Sequence, residues 1–178
     1  MILWINGPFG VGKTTLANMI CRRMPDAQFI DTERIGYLLR PVLDGPRPVK
    51  NFQDWPAWRA LVVSYLGELH DELGGVLVVP QSVFVEEYWR EISSGLADRG
   101  IPVRAITLDV ERDELERRIR TDELDRGAVA WRLEHIESYS RALSEWMRRA
   151  TEVVEAADSP DALAASITAS LVASDPSS

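Results

Sequence analysis

Eight residues near the start of the chain have the types and spacing needed to hold a phosphate chain. Residues 7–14 read GPFGVGKT and match the pattern G-x-x-x-x-G-K-[ST] at every specified position. Glycines let such a loop turn its backbone N–H groups toward phosphate oxygens, and the positive end of the following helix adds to the attraction. Lys13 is expected to neutralise the β- and γ-phosphates, and the Thr14 hydroxyl to ligate Mg²⁺. The predicted nucleotide contacts are Gly7, Phe9, Gly10, Val11, Gly12, Lys13, Thr14 and Thr15.

The patterns on either side of this loop are those that the motif requires. Residues 2–5 are apolar and rich in strand formers, which predicts a buried strand; the run is too short for the apolar segment of a signal peptide. Leu16, Met19 and Ile20 then recur at helical spacing, and Pro25 ends the run. A strand, a glycine loop and a helix in this order predict a site for a nucleoside triphosphate.

Acidic residues follow the next apolar stretch, residues 28–30, which is predicted to be a second strand. In small phosphotransferases an Asp or Glu at this position orients or deprotonates the acceptor. Asp31 is therefore predicted to be a general base, or a group that holds substrate or Mg²⁺-bound water. The alternative is that Asp31 or Thr32 caps the helix that follows. Glu33 is a second candidate for the site, and its alternative is a solvated carboxylate in the first helical turn.

Composition and charge limit what the chain can be. Its 178 residues suffice for one domain with a core, and its net charge of −8 argues against a broad nucleic-acid surface, because phosphate backbones repel it. No apolar run approaches the length of a membrane span. The single cysteine, Cys21, excludes an internal disulfide, and its apolar neighbours are typical of a packed thiol. These features predict a cytosolic α/β protein that acts on a small molecule.

Strand and helix patterns alternate along the rest of the chain. Residues 35–39 predict a helix, and the proline-rich residues 41–56 predict an irregular, substrate-binding loop. The later patterns predict helices from 58 to 73, at 86–98, 111–121, 131–146 and from 160 to about 172, and strands at 76–79, 103–109 and 153–154. Such alternation is typical of a parallel sheet covered on both faces. Residues 1–174 are predicted to form one domain, and 175–178 a disordered tail.

Phosphate-binding loops occur in kinases, regulatory GTPases, motors and helicases. The sequence lacks the N-K-x-D motif that reads guanine. Residues 71–74, DELG, imitate the D-x-x-G switch motif, but they lie at a helix end before a strand instead of after one. Motors and helicases usually need a longer chain. Small phosphotransferases therefore remain.

Four stretches of the chain resemble a known family. LWINGPFGVGKTTLA, FIDTERIGYLLR, FQDWPAWRALV and GVLVVPQSVFVEEYWREI, in that order, look like the tunicamycin-resistance type of phosphate-loop protein, over roughly residues 1–136. That type is similar to the nucleoside-monophosphate kinase fold, which includes shikimate and chloramphenicol phosphotransferases. The resemblance implies an α/β/α fold with a five-stranded parallel sheet in the order 2-3-1-4-5 and a mobile helical lid. It also implies ATP-dependent modification or binding of a small molecule, linked to resistance to a nucleoside antibiotic.

The resemblance also implies acceptor contacts beyond the phosphate-binding loop. Arg40 would lie near the acceptor pocket, with a surface charge as the alternative. Trp55 and Arg59 are expected to contact the ligand, with Trp55 stacking on a base or a sugar ring. Trp58, which opens a helix face, is expected in the core. Gln81 would lie over the pocket as a hydrogen-bonding group.

A lid is predicted at about residues 117–132. In related kinases the lid begins with an arginine and an apolar residue, and the guanidinium stacks on adenine; Arg118 and Ile119 match this start. Asp122 stands where a second basic residue is often found, so Arg120 or Arg126 is expected to clamp the transferring phosphate. The alternative is a solvated helix with ion pairs between residues four apart.

The strand at 76–79 departs from the kinase pattern. It ends in Pro80-Gln81-Ser82 and lacks the Walker B carboxylate, so Asp31 or water alone must serve the Mg²⁺ ion. Two hypotheses follow. An intact Asp31 and an arginine-rich lid favour an ATP- and Mg²⁺-dependent phosphotransferase that acts on a small hydroxylated molecule. The missing carboxylate favours a protein that sequesters a nucleoside antibiotic, with ATP as a co-ligand. The sequence identifies neither the acceptor nor the oligomeric state.

Overall fold

In the computed structural model, which describes residues 1–122, 126–156 and 159–173, strands and helices alternate along the chain. The strands are β1 Ile2–Asn6, β2 Ala27–Phe29, β3 Val76–Pro80, β4 Val103–Asp109 and β5 Glu152–Glu155. The helices are α1 Lys13–Arg23, α2 Glu33–Leu43, α3 Pro56–Leu73, α4 Glu86–Asp98, α5 Arg112–Thr121, α6 Val129–Ala142, α7 Arg148–Ala150 and α8 Pro160–Ala173. Short 3₁₀ turns lie at Phe52–Asp54 and Arg126–Ala128, and a π turn at Leu143–Met147 joins α6 to α7. The predicted tail falls outside the described residues.

The five strands form one sheet in the order β2-β3-β1-β4-β5, with every neighbouring pair parallel. Trp4, in the central strand β1, pairs with Val79 on one side and Ala105 on the other. Because helices cover both faces, β1 and most of β3 are apolar at successive positions instead of alternating. The sheet order and the layered α/β class predicted from the sequence are confirmed.

Side chains of successive strand residues point to opposite faces, and this alternation divides the core in two. Ile2 and Trp4 pack on one face with residues of α3 and α4. Leu3 and Ile5 pack on the other face with residues of α1 and α8. The helices that follow β1 and β3 therefore cover opposite faces, and a crevice opens between the carboxyl ends of these two strands. Ligands bind in such a crevice in open α/β sheets.

The predicted irregular loop at 41–56 is wrong at its start, because α2 continues through Pro41 to Leu43. Proline removes one helical hydrogen bond, but the N–H of Asp44 still donates to the carbonyl of Arg40 at 3.0 Å. At the other end, Pro56 opens α3 in its first turn, where a missing N–H is tolerated. Among the described helices, none is both long and apolar enough to cross a membrane.

Candidate active site

The phosphate-binding loop joins β1 to α1 at the carboxyl edge of the sheet. Gly10 and Gly12 have φ values of 84° and 103°, in the left-handed region that favours glycine. A Cβ on Gly10 would lie 2.8 Å from Cγ1 of Ile119, so a side chain there would displace the Ile119 side chain. A Cβ on Gly12 would meet no described atom within 4 Å. This open space in front of the first turn of α1 fits a phosphate group.

Lys13 is held inside the loop, with only 9% of its surface exposed. Its Nζ donates to the carbonyl oxygens of Gly7 at 3.0 Å and Pro8 at 2.7 Å. Burial lowers the pKa of Lys13 to about 7, against the opposing effect of Glu33. Carbonyl oxygens are weaker partners for an ammonium than a phosphate is. A phosphate chain would therefore supply the counter-charge that the buried ammonium lacks.

Asn6 and Ser82, both buried, tie the loop to the residues that follow β3. Asn6 Oδ1 accepts hydrogen bonds from the N–H groups of Gly7 at 2.9 Å and Val83 at 3.0 Å, and its Nδ2 donates to the carbonyl of Val83 at 2.9 Å. Ser82 Oγ donates to the carbonyl of Gly7 at 2.7 Å. This network fixes the loop against the end of β3.

Three cavities meet around the loop. The phosphate cavity, of about 530 Å³, contains Lys13, Thr14 and Thr15 at the start of α1. The α5 cavity, of about 400 Å³, lies between the loop, α5 and α8. The α2 cavity, of about 510 Å³, lies between α2, α6 and the residues after β3.

Shared wall residues place these cavities side by side. The phosphate and α5 cavities have in common Gly10, Gly12, Thr15 and Asp122. The phosphate and α2 cavities have in common Phe9, Glu33, Ser82 and Arg132. A ligand held by the loop therefore borders a further cavity on each side.

The α5 cavity has walls suited to a nucleobase. Leu108, Ala156 and Leu163 supply apolar surface, and Arg118 lines the same cavity. The Arg118 guanidinium donates to Glu114 Oε1 at 2.7 Å and to the carbonyl of Val11 at 3.3 Å. Arg118 therefore forms an ion pair with Glu114 and also lines the cavity. The lid and the solvated helix, the two alternatives predicted for it, each account for one of these features.

The lining of the phosphate and α5 cavities fits ATP with Mg²⁺. Space for phosphate lies at Gly12, and Lys13 offers the counter-charge. The hydroxyl-bearing Thr14 is exposed at the phosphate cavity, as the predicted Mg²⁺ ligand must be. The carboxylates on this cavity's wall come from Glu33 and Asp122, not from the end of β3.

The structure separates the two acidic candidates after β2. Asp31 Oδ1 accepts a hydrogen bond from the N–H of Glu33 at 3.0 Å, and Asp31 lies 3.5 Å from Arg34. The N-cap residue of α2 is Thr32, which makes no side-chain capping bond. Glu33 lines both the phosphate and α2 cavities, whereas Asp31 lies outside their described walls. Burial raises the pKa of Glu33, Asp31 raises it further, and Lys13 lowers it. Glu33 is therefore the better-placed carboxylate.

Arg132 is a site residue that the sequence did not single out. It lines the phosphate and α2 cavities, and its guanidinium donates to Asp122 Oδ2 at 2.6 Å. Its charge lowers the pKa values of both Lys13 and Glu33, which places it near the two. In the sequence Arg132 looks like any charged residue of a helix. Only the packing of α6 across the loop brings it to this junction.

Aromatic rings form one side of the α2 cavity, and we call this set the aromatic wall: Phe9, Phe84, Trp131 and His135. The ring of Phe9 lies 5.7 Å from Phe84, 4.5 Å from Trp131 and 5.6 Å from His135, measured between ring centroids. Phe9 belongs to the phosphate-binding loop, so the wall connects that loop directly to α6. No role was assigned to His135 from the sequence, because it lacks metal-ligand neighbours there.

A family model described as "AAA domain" matches residues 2–157. The chain belongs to the AAA domain family. Among solved structures, the tunicamycin resistance protein of Deinococcus radiodurans is 30% identical, with a TM-score of 0.76 over 96% of this chain and 94% of that one. The resemblance predicted from the sequence is thereby confirmed. No curated protein is significantly similar in sequence.

Two kinases share the fold at lower identity. A sugar kinase from Janibacter sp. HTCC2649 is 17% identical, with a TM-score of 0.70 over 97% of this chain and 95% of that one. The APS kinase of Mycobacterium tuberculosis is 20% identical, with a TM-score of 0.63 over 96% of each chain. At these identities the likeness shows the fold alone. This AAA domain protein has a kinase-like phosphate-loop fold.

In this AAA domain protein, Trp55 and Arg59 lie behind the α2 cavity instead of on its described wall. Trp55 is 3% exposed, and its Nε1 donates to the carbonyl of Arg47 at 2.8 Å. Arg59 is buried, with Nε 2.5 Å from Glu91 Oε2 and a second nitrogen 2.5 Å from the carbonyl of Gln53. Gln53 itself lines the cavity. Arg59 therefore supports a cavity residue, whereas the Trp55 indole is bonded to Arg47, and the predicted ligand contacts of both stay untested.

Other predicted acceptor residues do border the cavity. Arg40 and Gln81 line it, and Gln81 Oε1 accepts a hydrogen bond from Thr32 Oγ1 at 2.9 Å. Trp58 is fully buried, as its place on a helix face predicted. Its indole donates to the carbonyl of Thr32 at 3.3 Å. The residues around Thr32 are thus held by side chains from α3 and from the end of β3.

The arginines of the predicted lid differ in their positions. Arg118 lines the α5 cavity, whereas Arg120 lies on the outer side of α5, largely exposed and 3.6 Å from Glu116. The side chain of Arg126 and residues 123–125 lie outside the described part of the chain. Arg120 or Arg126 was predicted to clamp the transferring phosphate, and it is Arg132 that lines the phosphate cavity.

Proposed function

We propose that this protein is an ATP- and Mg²⁺-dependent phosphotransferase that phosphorylates a hydroxyl group of a small molecule. The observation that carries the proposal is that the phosphate cavity shares wall residues with the α5 cavity on one side and the α2 cavity on the other. Lys13 lines the middle cavity, and Glu33 and Arg132 line its junction with the α2 cavity. A nucleotide bound with its base in the α5 cavity directs its terminal phosphate toward the α2 cavity. The α2 cavity is then the acceptor site.

Charge neutralisation and positioning are the main requirements of phosphoryl transfer. In this proposal Lys13 and Arg132 offset the negative charge of the transferring group, Thr14 holds Mg²⁺, and Arg118 contacts the base. When bound, Mg²⁺ supplies further positive charge at the phosphate oxygens.

Glu33 is proposed to orient the acceptor hydroxyl and to accept its proton. Its raised pKa makes the carboxylate a stronger base than an exposed glutamate. Asp31 acts through Glu33, since it holds the backbone N–H of that residue and its charge raises the same pKa. This assignment moves the predicted role of general base from Asp31 to Glu33.

The acceptor is proposed to be a nucleoside-like compound, and the biological effect to be resistance to a nucleoside antibiotic such as tunicamycin. The name of the Deinococcus radiodurans relative supports this proposal. The aromatic wall supports it as well, because planar rings stack on aromatic side chains. A cytoplasmic location is proposed because that compartment supplies ATP.

A second candidate function is sequestration of the antibiotic without transfer. It is favoured by the end of β3, where Pro80, Gln81 and Ser82 replace the usual carboxylate and Ser82 Oγ is engaged with the carbonyl of Gly7. In that case ATP would stabilise the binding conformation instead of donating a phosphoryl group.

Mass spectrometry after incubation with MgATP tests the proposal. Nucleosides, sugars and tunicamycin are offered to the full chain, and at least one of them is expected to gain one phosphoryl group. Lys13→Ala should abolish the product, and Glu72→Gln, an exposed glutamate far from the cavities, should not. Tight binding of a compound with no product and no ATP consumption would favour sequestration instead.

A further inference from the structure

Trp131 is the most exposed member of the aromatic wall, with 40% of its surface accessible. Two neighbouring rings nevertheless pack against its indole. The His135 ring lies 4.0 Å from it and the Phe9 ring 4.5 Å, measured between centroids, and His135 Nδ1 lies 2.7 Å from the carbonyl of Trp131. An indole packed in this way at a cavity surface is a platform on which a planar ring stacks at little entropic cost.

The α2 cavity also concentrates positive charge in a chain whose net charge is −8. The charged groups on its described wall are Glu33, Arg40, Lys50 and Arg132; Asp122 offsets the charge of Arg132, which leaves Arg40 and Lys50 against Glu33. Within the described chain, Lys50 has no ion pair or hydrogen bond. The described partner of Arg40 is Asp44, at 3.4 Å and partly exposed, which makes a weak pair. Such an excess attracts an anion.

The anion that Arg40 and Lys50 would bind is not a phosphate of the nucleotide. Arg40 and Lys50 line the α2 cavity alone, whereas Glu33 and Arg132 also line the phosphate cavity. Glu33, Tyr37 and Arg40 share one face of α2, and seven residues span about 10 Å along a helix axis. The positive end of the α2 cavity is thus separated from the reacting carboxylate by roughly the length of a small molecule.

We propose that the ligand of the α2 cavity combines a planar ring with an anionic group of its own, a phosphate or a carboxylate. The ring stacks on Trp131, and the anion binds to Arg40 and Lys50. This inference rests on the proposed function in one respect, since it takes the α2 cavity as the acceptor site. Among nucleoside-like acceptors it favours those that carry an anionic group.

Calorimetry with four probes tests the two halves of the inference. The full chain is first saturated with Mg²⁺ and a non-hydrolysable ATP analogue, so that the probes enter the α2 cavity. The probes are uridine, uridine 5′-monophosphate, orotate and ribose 5-phosphate, which separate the ring from the anion and phosphate from carboxylate. At least one of the two probes that combine ring and anion should bind ten times more tightly than uridine and ribose 5-phosphate. Which of them does so identifies the anion.

Variants assign each half to its residues. Arg40→Gln and Lys50→Gln should each weaken the tighter anionic probe about tenfold and leave uridine unchanged. Trp131→Ala should weaken the probes with a ring and leave ribose 5-phosphate unchanged. Arg22→Gln, which removes an exposed charge near the end of α1, is the matched control and should change nothing. Melting temperatures verify that each variant is folded.

Several outcomes would overturn the inference. Equal affinity for uridine and both anionic ring probes would refute the role of the cations, and equal affinity for ribose 5-phosphate and uridine 5′-monophosphate would refute the stacking. Binding of none of the probes would refute both. The proposed transferase function fails separately: phosphorylation of a neutral acceptor would retain that function and exclude this inference. Tight binding of a probe with a ring and an anion, without transfer to any acceptor, would retain this inference and exclude the transferase function.

Discussion

Burial disfavours the charged forms of Lys13 and Glu33, which face each other across the phosphate cavity. It lowers the pKa of Lys13 to about 7 and raises the pKa of Glu33. Each charge partly offsets the effect of burial on the other. Phosphate groups would shift this balance, because they favour the protonated form of Lys13. Nucleotide binding and proton binding are therefore coupled at this pair.

The coupling gives a pH dependence of nucleotide affinity. The pKa of Lys13 is about 7 without ligand and rises when phosphates bind, so above pH 7 binding requires the uptake of a proton. ATP affinity should fall between pH 7 and pH 9, by up to about tenfold per pH unit. Calorimetry in buffers of different ionisation enthalpy measures the proton uptake directly.

Lys13→Met is the control for this dependence. It should bind ATP more than tenfold more weakly at pH 7, because the counter-charge to the phosphates is lost, and its remaining affinity should be flat from pH 7 to pH 9. An equal pH slope in the variant and the natural chain would show that a group other than Lys13 takes up the proton.

Variants of Glu33 and Asp31 distinguish the general base from the residue that positions it. Glu33→Gln removes the basic group at the junction of the cavities and should lower kcat by about a hundredfold or more, with ATP affinity within about threefold. Asp31→Asn keeps an oxygen for the N–H of Glu33 and should lower kcat by less than about tenfold. Steady-state kinetics measures both. The reverse order of effects would return the role of base to Asp31.

At the scale of elements, the unit of β1, loop and α1 was predictable because its signals are local. The glycine spacing and the apolar runs lie within about twenty residues. Lys13 and Thr14 line one cavity, and their ligand contacts remain predictions. The α2 cavity is different. Its walls come from α2, from the residues after β3 and from α6, which are far apart in the chain. Arg132 and His135 were missed for that reason.

Two local features of the helices were not predicted from the sequence. Pro41 was expected to end the helix, but α2 continues through it to Leu43. The pattern around 131–146 predicted one regular helix, whereas a π turn interrupts it at Leu143–Met147. Trp146, inside this turn, donates from its indole to the carbonyl of Phe84 at 3.1 Å, which links the turn to the aromatic wall. Sequence periodicity does not reveal a one-residue shift of this kind.

Arg59 tests whether α3 and α4 support the site or contact its ligand. Its buried guanidinium joins Glu91 of α4 to the carbonyl of Gln53 and lies 4.1 Å from the centre of the Tyr88 ring. Arg59→Ala should lower the free energy of unfolding by about 2 kcal/mol, because buried hydrogen-bond partners lose their donor. Nucleotide affinity should change less than threefold. Urea denaturation and calorimetry measure the two effects.

Arg90→Ala is the matched control for Arg59, since Arg90 is an exposed arginine of α4 paired with Glu86. Exposed pairs contribute little, so this change should stay within about 0.5 kcal/mol. Unchanged stability of Arg59→Ala together with loss of acceptor binding would instead support the ligand contact that the sequence predicted for Arg59.

At the scale of the whole molecule, the sheet order determines how the ligands meet. Helices on opposite faces open the crevice between β1 and β3, and the α5 cavity lies on the other side of the loop, next to β4 and α8. In the proposed function, binding of both ligands depends on this arrangement and not on any one residue. Transfer and sequestration use the same arrangement, and they differ in whether one protein molecule acts on many ligand molecules or retains one.

This difference predicts how protection depends on dose in cells. If the protein transfers phosphate, cells that express it should grow at tunicamycin concentrations well above the intracellular concentration of the protein, because each molecule turns over many times. Glu33→Gln should then lose protection as completely as Lys13→Ala, although it still binds ATP. If the protein only retains the antibiotic, protection should end where antibiotic and protein are equimolar, and Glu33→Gln should protect nearly as well as the natural chain. Growth curves at several expression levels, with protein quantified in the same cultures, distinguish the two. A protection threshold that rises in proportion to protein concentration and is insensitive to Glu33→Gln would exclude phosphotransfer as the basis of resistance.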